Sequence, residues 1–204
     1  MDAERHWQQV YEARAPDQVS WFEATPERSL ALIGATGLPK DAGIVDVGGG
    51  ASALAGELLR AGYTDITVID LSAAALEQAR KDIGGRAQEI DWVTDDVRVH
   101  DFGRQFDLWH DRALFHFMVE PSDREAYLAT LGRALRPAGH LIIATFGPEG
   151  PTQCSGLAVR RYSADDLSAW LGAEFECEDD ELVAHETPSG NRQQFLNARF
   201  RRKA

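Results

Sequence analysis

Three glycines follow an apolar run in IVDVGGGAS, residues 44–52. Gly48, Gly50 and Ala53 fit the spacing G-x-G-x-x-A, at the end of a strand and the opening of a helix. Glycine permits positive φ and removes the Cβ, so a ligand can touch the main chain there. The helix N-terminus adds free N–H groups and partial positive charge. Asp70 ends the next apolar run, twenty residues after Gly50. A carboxylate at that place can hold both hydroxyls of a ribose. Asp96, in WVTDDV, can accept from an exocyclic adenine amine, while the Val97 N–H donates to the ring. The plainer alternatives are a helix-entry acid for Asp70 and a turn for Asp95 and Asp96. Three strand ends in register favour the ligand.

Asp46 discriminates between adenosine ligands. In dinucleotide enzymes a pyrophosphate sits on such a glycine turn. A carboxylate just before the glycines disfavours a pyrophosphate and suits an ammonium group. An adenosine with a cationic amino-acid tail is S-adenosylmethionine. Bracing of the loop through backbone amides is the other reading of Asp46, and the two are compatible.

These residues need a parallel sheet to position them. Short β-branched segments alternate with helix patterns, the signature of an α/β fold. The expected strands are GIVDV (43–47), DITVID (65–70), IDWVT (90–94), FDLWH (106–110) and HLIIATF (140–146). Ser52, Ser72 and Ser163 read as helix caps, and Ser122 with Glu125 as a capping box. Gly62 and Gly84 stand at helix ends. Before the first core strand the pattern predicts a helix at 3–14, then a second with Thr25 as cap and Pro26 in its first turn. After the helix at 163–171, segments 174–186 and 192–201 flank TPSGN and predict an antiparallel hairpin. That hairpin and the N-terminal cap disfavour a dehydrogenase.

The 204 residues suit one domain, with 1–40 as a helical cap and 41–204 as the core. A net charge of −12 repels phosphate backbones and argues against nucleic acid. No apolar run approaches the roughly 18 residues of a membrane span. The opening MDAERHWQQVYEAR lacks the layout of a signal peptide, and two unpaired cysteines fit a reducing compartment, so a cytoplasmic protein is expected. Cys154 and the histidines show no metal-ligand spacing, so no metal is expected.

The motifs DVGGGAS, VIDLS and TDDV and the unit FDLWHDRALFHFM together resemble the class I S-adenosylmethionine-dependent methyltransferases. The resemblance is strong over about residues 40–150. One departure is Ser52, where that family usually has a last glycine; serine is itself a good helix cap. The resemblance implies a Rossmann-like sheet of seven strands, mostly parallel, with helices on both faces and the hairpin supplying the antiparallel strand. It implies that Asp46, Gly48 and Gly50 line the methionine part, Asp70 with Leu71 the ribose, and Asp96 with Val97 the adenine. His110 should lie near the sulfonium. Tyr11, Trp21 and Phe22 are similar to a lid over cofactor and substrate, where ring faces can meet a cation. Sealing of the cap onto the sheet is the alternative, and the preferred one for Trp7.

Methyl transfer is an in-line displacement that needs positioning, and a base only if the acceptor arrives protonated. His110 is the candidate base or orienting group, and Arg112 can bind an anion. Pairing within the fold is the commoner fate of adjacent charges such as Asp111 and Arg112. Phe115 is a candidate substrate contact, whereas His116 on an apolar face reads as a satisfied core histidine. In GPTQCSGLAVRRYS, 150–163, the family's habit of placing acceptor residues after the fifth strand marks Arg160 and Tyr162. Cys154 reads better as a small buried residue. A small-molecule acceptor is expected. Protein lysine is the alternative, weakened because lysine methyltransferases typically carry a D-K-G-T-like turn where this chain has His110, Asp111, Arg112 and Ala113. A non-catalytic cofactor-binding protein is the third reading.

Overall fold

Ile44 and Val45 enter two different apolar clusters, as neighbouring residues of a strand buried on both faces must. In the computed structural model, which describes residues 3–204, this split organises the chain. Helices α1 (Ala3–Ala13) and α2 (Glu27–Ala35) precede β1 (Gly43–Val47). Then follow α3 (Leu54–Arg60), β2 (Asp65–Asp70), α4 (Ala73–Ile83), β3 (Asp91–Thr94) and β4 (Phe106–Arg112). The remainder is α5 (Pro121–Ala134), β5 (Leu135–Phe146), the short pair β6 (Gln153–Cys154) and β7 (Leu157–Ala158), α6 (Ala164–Leu171), β8 (Phe175–Glu186) and β9 (Arg192–Arg202).

The sheet has seven strands in the order β3-β2-β1-β4-β5-β9-β8. The pairs from β3 through β5 are parallel; β9 runs antiparallel to β5, and β8 antiparallel to β9. The β6–β7 pair stands apart from it. On one face, Leu32 and Ile33 of α2, Leu58 of α3 and Leu76 of α4 pack on Ile44, Ile66, Val68, Leu108 and Ile142. On the other, Tyr127 and Leu131 of α5 and Leu167 of α6 pack on Val45, Val47, Trp109, Leu141 and Ile143. Leu58 is fully buried, so Leu58→Ala would cost about 2–5 kcal/mol. The strand order changes direction between β1 and β4, and such a switch point opens a crevice at the carboxyl ends of the strands. Among the described residues no helix is long and apolar enough to cross a membrane.

The termini of the elements refine the sequence reading. Ser72 caps α4 by accepting from the Ala75 N–H, and Ser163 forms a full capping box with Asp166. Ser52 lies one residue outside α3, whose N-cap is Ala53, and accepts from the Leu54 N–H. Thr25 does not cap α2; Pro26 holds that position without a side-chain bond. Ser122 and Glu125 form no capping box, because Pro121 starts α5 one residue before Ser122. β4 extends to Arg112, two residues beyond the expected end, because its pairing with β5 continues to Arg112 and Ala144.

Candidate active site

The glycine turn follows β1 on the switch-point crevice. Gly48 and Gly50 have φ of 65° and 53°, a region costly for residues with a Cβ. A Cβ on Gly50 would stand 2.5 Å from the Tyr11 hydroxyl, and one on Gly49 would stand 2.7 Å from an Asp46 carboxylate oxygen. Glycine at these positions thus lets the Tyr11 hydroxyl and the Asp46 carboxylate pack directly on the main chain. The Gly48 N–H is tied to the Ile69 carbonyl at 2.8 Å, which fixes the turn to the end of β2.

Asp46 and His110 face each other from adjacent strands, in direct register. The carboxylate accepts from Nδ1 of His110 at 2.7 Å, and Nε2 lies 2.9 Å from the Ser29 hydroxyl. All three side chains are buried. The ring, a candidate base or orienting group in the sequence, thus has both nitrogens engaged. Asp70 sits at the end of β2 and accepts from the Ser72 N–H at 2.8 Å. Burial pushes its pKa up to about 6, against the hydrogen bonds from Ser72 and Gly50 and helped by the nearby Asp46 charge. Asp96 is paired with Arg98, whose Nη1 bonds Asp123 at 2.5 Å. Burial would raise the Asp96 pKa, but the Arg98 hydrogen bonds and charge outweigh it and hold it low. Val97 is buried beside them.

The N-terminal segment roofs this floor. Gln8 of α1 accepts from the Ser72 hydroxyl and the Ala74 N–H, both at 3.2 Å, so α1 is tied to the start of α4. The Trp21 indole donates to the Tyr11 hydroxyl at 3.3 Å. Trp7 meets Trp21 and Phe117 edge-on, with centroids 5.7 and 4.9 Å apart. Arg112 donates to the Trp21 carbonyl and lies 2.8 Å from a Glu23 carboxylate oxygen. His185 of β8 bonds the Ser20 carbonyl, joining the hairpin to the same segment.

Between floor and roof lies a cavity of about 660 Å³, within the range of small-molecule sites. It gathers Tyr11, Trp21, Phe22, Asp46, Gly48, Asp70, Leu71, Asp96, Val97, His110 and Arg112. Gly50 lies against Tyr11 and Asp70 at its edge.

Three expected substrate contacts do not line it. Ala113, with a φ of 64°, turns the chain after β4. Phe115 then enters the core between Tyr127, Tyr162 and Trp170 instead of the cavity. Tyr162 is buried against Phe115, and its hydroxyl is pushed up to about 12 chiefly by burial. Arg160 is exposed and lies over the Tyr162 ring. His110, Asp111 and Arg112 belong to β4 itself and not to a turn. Asp111 accepts from the Leu114 and Phe115 N–H groups and from the Tyr127 hydroxyl, so it braces the turn.

His116 is buried and stacked on Phe146 at 4.3 Å, but no hydrogen bond reaches either ring nitrogen, so it is a core histidine without satisfaction. Burial, with the Arg112 charge, lowers its pKa to about 3. Cys154 is buried, and burial raises its thiol pKa. Trp7, Glu23, Leu114, Phe117 and Met118 also line the cavity and carried no cavity role in the sequence reading; Trp7 was assigned to sealing. Ser29, the third member of the buried polar chain, lies in α2, where its polarity among Leu30, Leu32 and Ile33 is the one available clue.

Residues 44–139 match the methyltransferase-domain family. The chain is 32% identical over 109 residues to the ubiquinone/menaquinone biosynthesis C-methyltransferase UbiE of Roseobacter denitrificans, a match covering 50% of this chain and 42% of that protein. It is 30% identical over 135 residues to EEF1A lysine methyltransferase 2 of Danio rerio, covering 60% and 56% of the two chains. The chain thus spans about half the length of these curated relatives. Its fold is similar to the N-methyltransferase NodS of Bradyrhizobium japonicum, solved with S-adenosyl-L-homocysteine, at a TM-score of 0.74 and 18% identity, covering 98% of this chain and 100% of that one.

Proposed function

We propose that the chain is a class I S-adenosylmethionine-dependent methyltransferase and that it transfers a methyl group from S-adenosylmethionine to a small molecule. One observation carries this reading: Gly48, Asp70 and Asp96, from three successive strand ends, share one roofed cavity with Asp46. The missing Cβ atoms at Gly49 and Gly50 let Asp46, Val68 and Tyr11 close around the glycine turn. When bound, S-adenosylmethionine supplies an electrophilic methyl group on a sulfonium.

The residues of this chain bind, orient and exclude water. Asp46 faces the ammonium end while His110 and Ser29 fix its carboxylate in place. Asp70 accepts from the ribose hydroxyls, with Leu71 alongside. Asp96 and Val97 would meet the adenine; each Asp96 oxygen already takes two contacts from Arg98, so an adenine amine would share the carboxylate with that guanidinium. Tyr11, Trp21 and the rest of the roof keep water from the reacting atoms. His110 acts as a positioning residue and not as a free base. Arg112 fastens the roof through Glu23 and Trp21.

A small acceptor is favoured over a protein lysine because Trp7, Tyr11 and Trp21 cover the cavity from above. The relatives named above include a quinone-biosynthesis enzyme and a lysine methyltransferase by their names, so the acceptor needs its own test.

Parallel calorimetric titrations with S-adenosylmethionine, S-adenosylhomocysteine and NAD test the cofactor. Micromolar binding of the first two, without NAD, is expected. NAD binding alone would remove the proposal. Labelled methyl groups from a lysate should appear in the small-molecule fraction; label on a protein band would favour lysine.

A further inference from the structure

The imidazole and guanidinium side chains that line the cavity are already engaged. His110 has Asp46 on one ring nitrogen and Ser29 on the other. Arg112 is paired with Glu23, and Arg98 with Asp96 and Asp123. The Tyr11 hydroxyl is bonded by Trp21, and burial raises its pKa. The cavity's apolar walls include Trp7, Trp21, Phe22, Leu114, Phe117 and Met118. Glu120 adds an exposed carboxylate at the rim.

Two consequences follow for an acceptor. Both lining guanidiniums are neutralised, and the carboxylates Glu23, Asp96, Glu120 and Asp123 outnumber them, so the field repels an anion. An alcohol, a phenol or an alkylammonium must lose a proton to become a good nucleophile, and His110 is not free to take it. Glu23, Asp46, Asp95, Asp96 and Asp123 are paired, Asp70 is assigned to the ribose, and Glu120 stands in water at the rim. An sp² ring nitrogen presents its lone pair without losing one. Its methylated product is a cation, which aromatic faces and an acidic field stabilise.

Resting on the methyltransferase reading above, we infer that the acceptor is an uncharged aromatic nitrogen heterocycle, methylated on its ring nitrogen. The N–C bond forms as the C–S bond of the donor breaks, and the bonding pair stays on sulfur. The positive charge passes from sulfur to nitrogen, and no proton moves.

Three bicyclic probes of similar shape test this: isoquinoline, 2-naphthol and 2-naphthoate, each with S-adenosylmethionine. Binding is read by tryptophan fluorescence in the presence of S-adenosylhomocysteine, and product by mass. Isoquinoline should bind at least about tenfold more tightly than 2-naphthoate, a difference of about 1.4 kcal/mol. It should yield N-methylisoquinolinium at a rate that is flat between about pH 7 and 9. Trp7→Leu should weaken isoquinoline binding by a larger factor than it weakens binding of S-adenosylhomocysteine. Glu23→Gln, which removes the carboxylate from Arg112 and leaves its bond to the Trp21 carbonyl, should raise the affinity for 2-naphthoate. Faster methylation of 2-naphthol with a rate rising with pH, or equal binding of 2-naphthoate, would overturn the inference. So would no product from any probe while S-adenosylmethionine binds, and that result would leave the cofactor reading standing. Failure of S-adenosylmethionine itself to bind would sink both.

Discussion

Asp46 and His110 are register partners on β1 and β4, and their side chains meet at 2.7 Å under the glycine turn. Each is almost wholly buried. Removing one partner strands the other without solvent. His110→Ala should therefore lower stability by about 3–5 kcal/mol. Urea unfolding checks this; an unchanged midpoint would show that the pair does not hold the floor together.

Asp70 should make cofactor binding depend on pH. Its carboxyl titrates near 6 in the free protein, raised mainly by burial. The charged form is the better acceptor for ribose hydroxyls, so affinity for S-adenosylhomocysteine should fall as pH drops through about 6. In Asp70→Ala that pH dependence should vanish and affinity at neutral pH should drop by at least about tenfold. Calorimetry at two pH values reads both.

His116 gives a second pH signature, in stability. Burial lowers its folded pKa from the usual 6.5 to about 3, so between these values the unfolded chain binds more protons. Stability from this group is complete above 6.5 and is lost as pH falls toward 3. His116→Phe removes two unpaired buried nitrogens and keeps a flat ring against Phe146. It should stabilise by about 1–3 kcal/mol at neutral pH, with the gain growing as pH falls from 6.5. Denaturation midpoints of the two proteins at several pH values test it; a constant difference would contradict the assignment.

Gly50→Ala should strain the backbone by about 1–2 kcal/mol and push Tyr11 off the turn. Adding Tyr11→Ala removes the steric part of that cost. A double-mutant cycle on thermal midpoints should therefore be non-additive. Strict additivity would mean that Tyr11 does not seat on Gly50.

The floor of the site was legible in the sequence because it is local. Gly48, Gly50, Asp70 and Asp96 each follow a strand whose β-branched run is easily read, so their placement needed only the strand ends. Phe115 was misjudged because one positive-φ residue, Ala113, redirects the chain after β4, and Phe115 packs among Tyr127, Tyr162 and Trp170. Alanine gives no sign of that turn. Arg160 and Tyr162 failed for a related reason: the connection after β5 folds Tyr162 against Phe115 and leaves Arg160 outside. The partners that define His110 and Arg112 lie far away in the chain. Ser29 is 81 positions from His110 and Trp21 is 91 from Arg112. No spacing rule reaches so far. The capping errors at Thr25 and Ser122 have one cause, since a nearby proline, Pro26 or Pro121, takes over the helix start.

The two margins of the sheet differ in how they discourage other chains from adding to them. β3 offers only Asp91–Thr94 as a template. β8 is long and open, but Glu176, Asp179, Asp180 and Glu181 are exposed on it, and a bulge falls between Cys177 and Asp179. A second copy approaching edge to edge would bring these carboxylates against their own kind along a kinked strand. The hairpin that completes the fold thus also keeps concentrated protein from growing into ribbons, and acid or high salt, which weakens that repulsion, removes part of the safeguard.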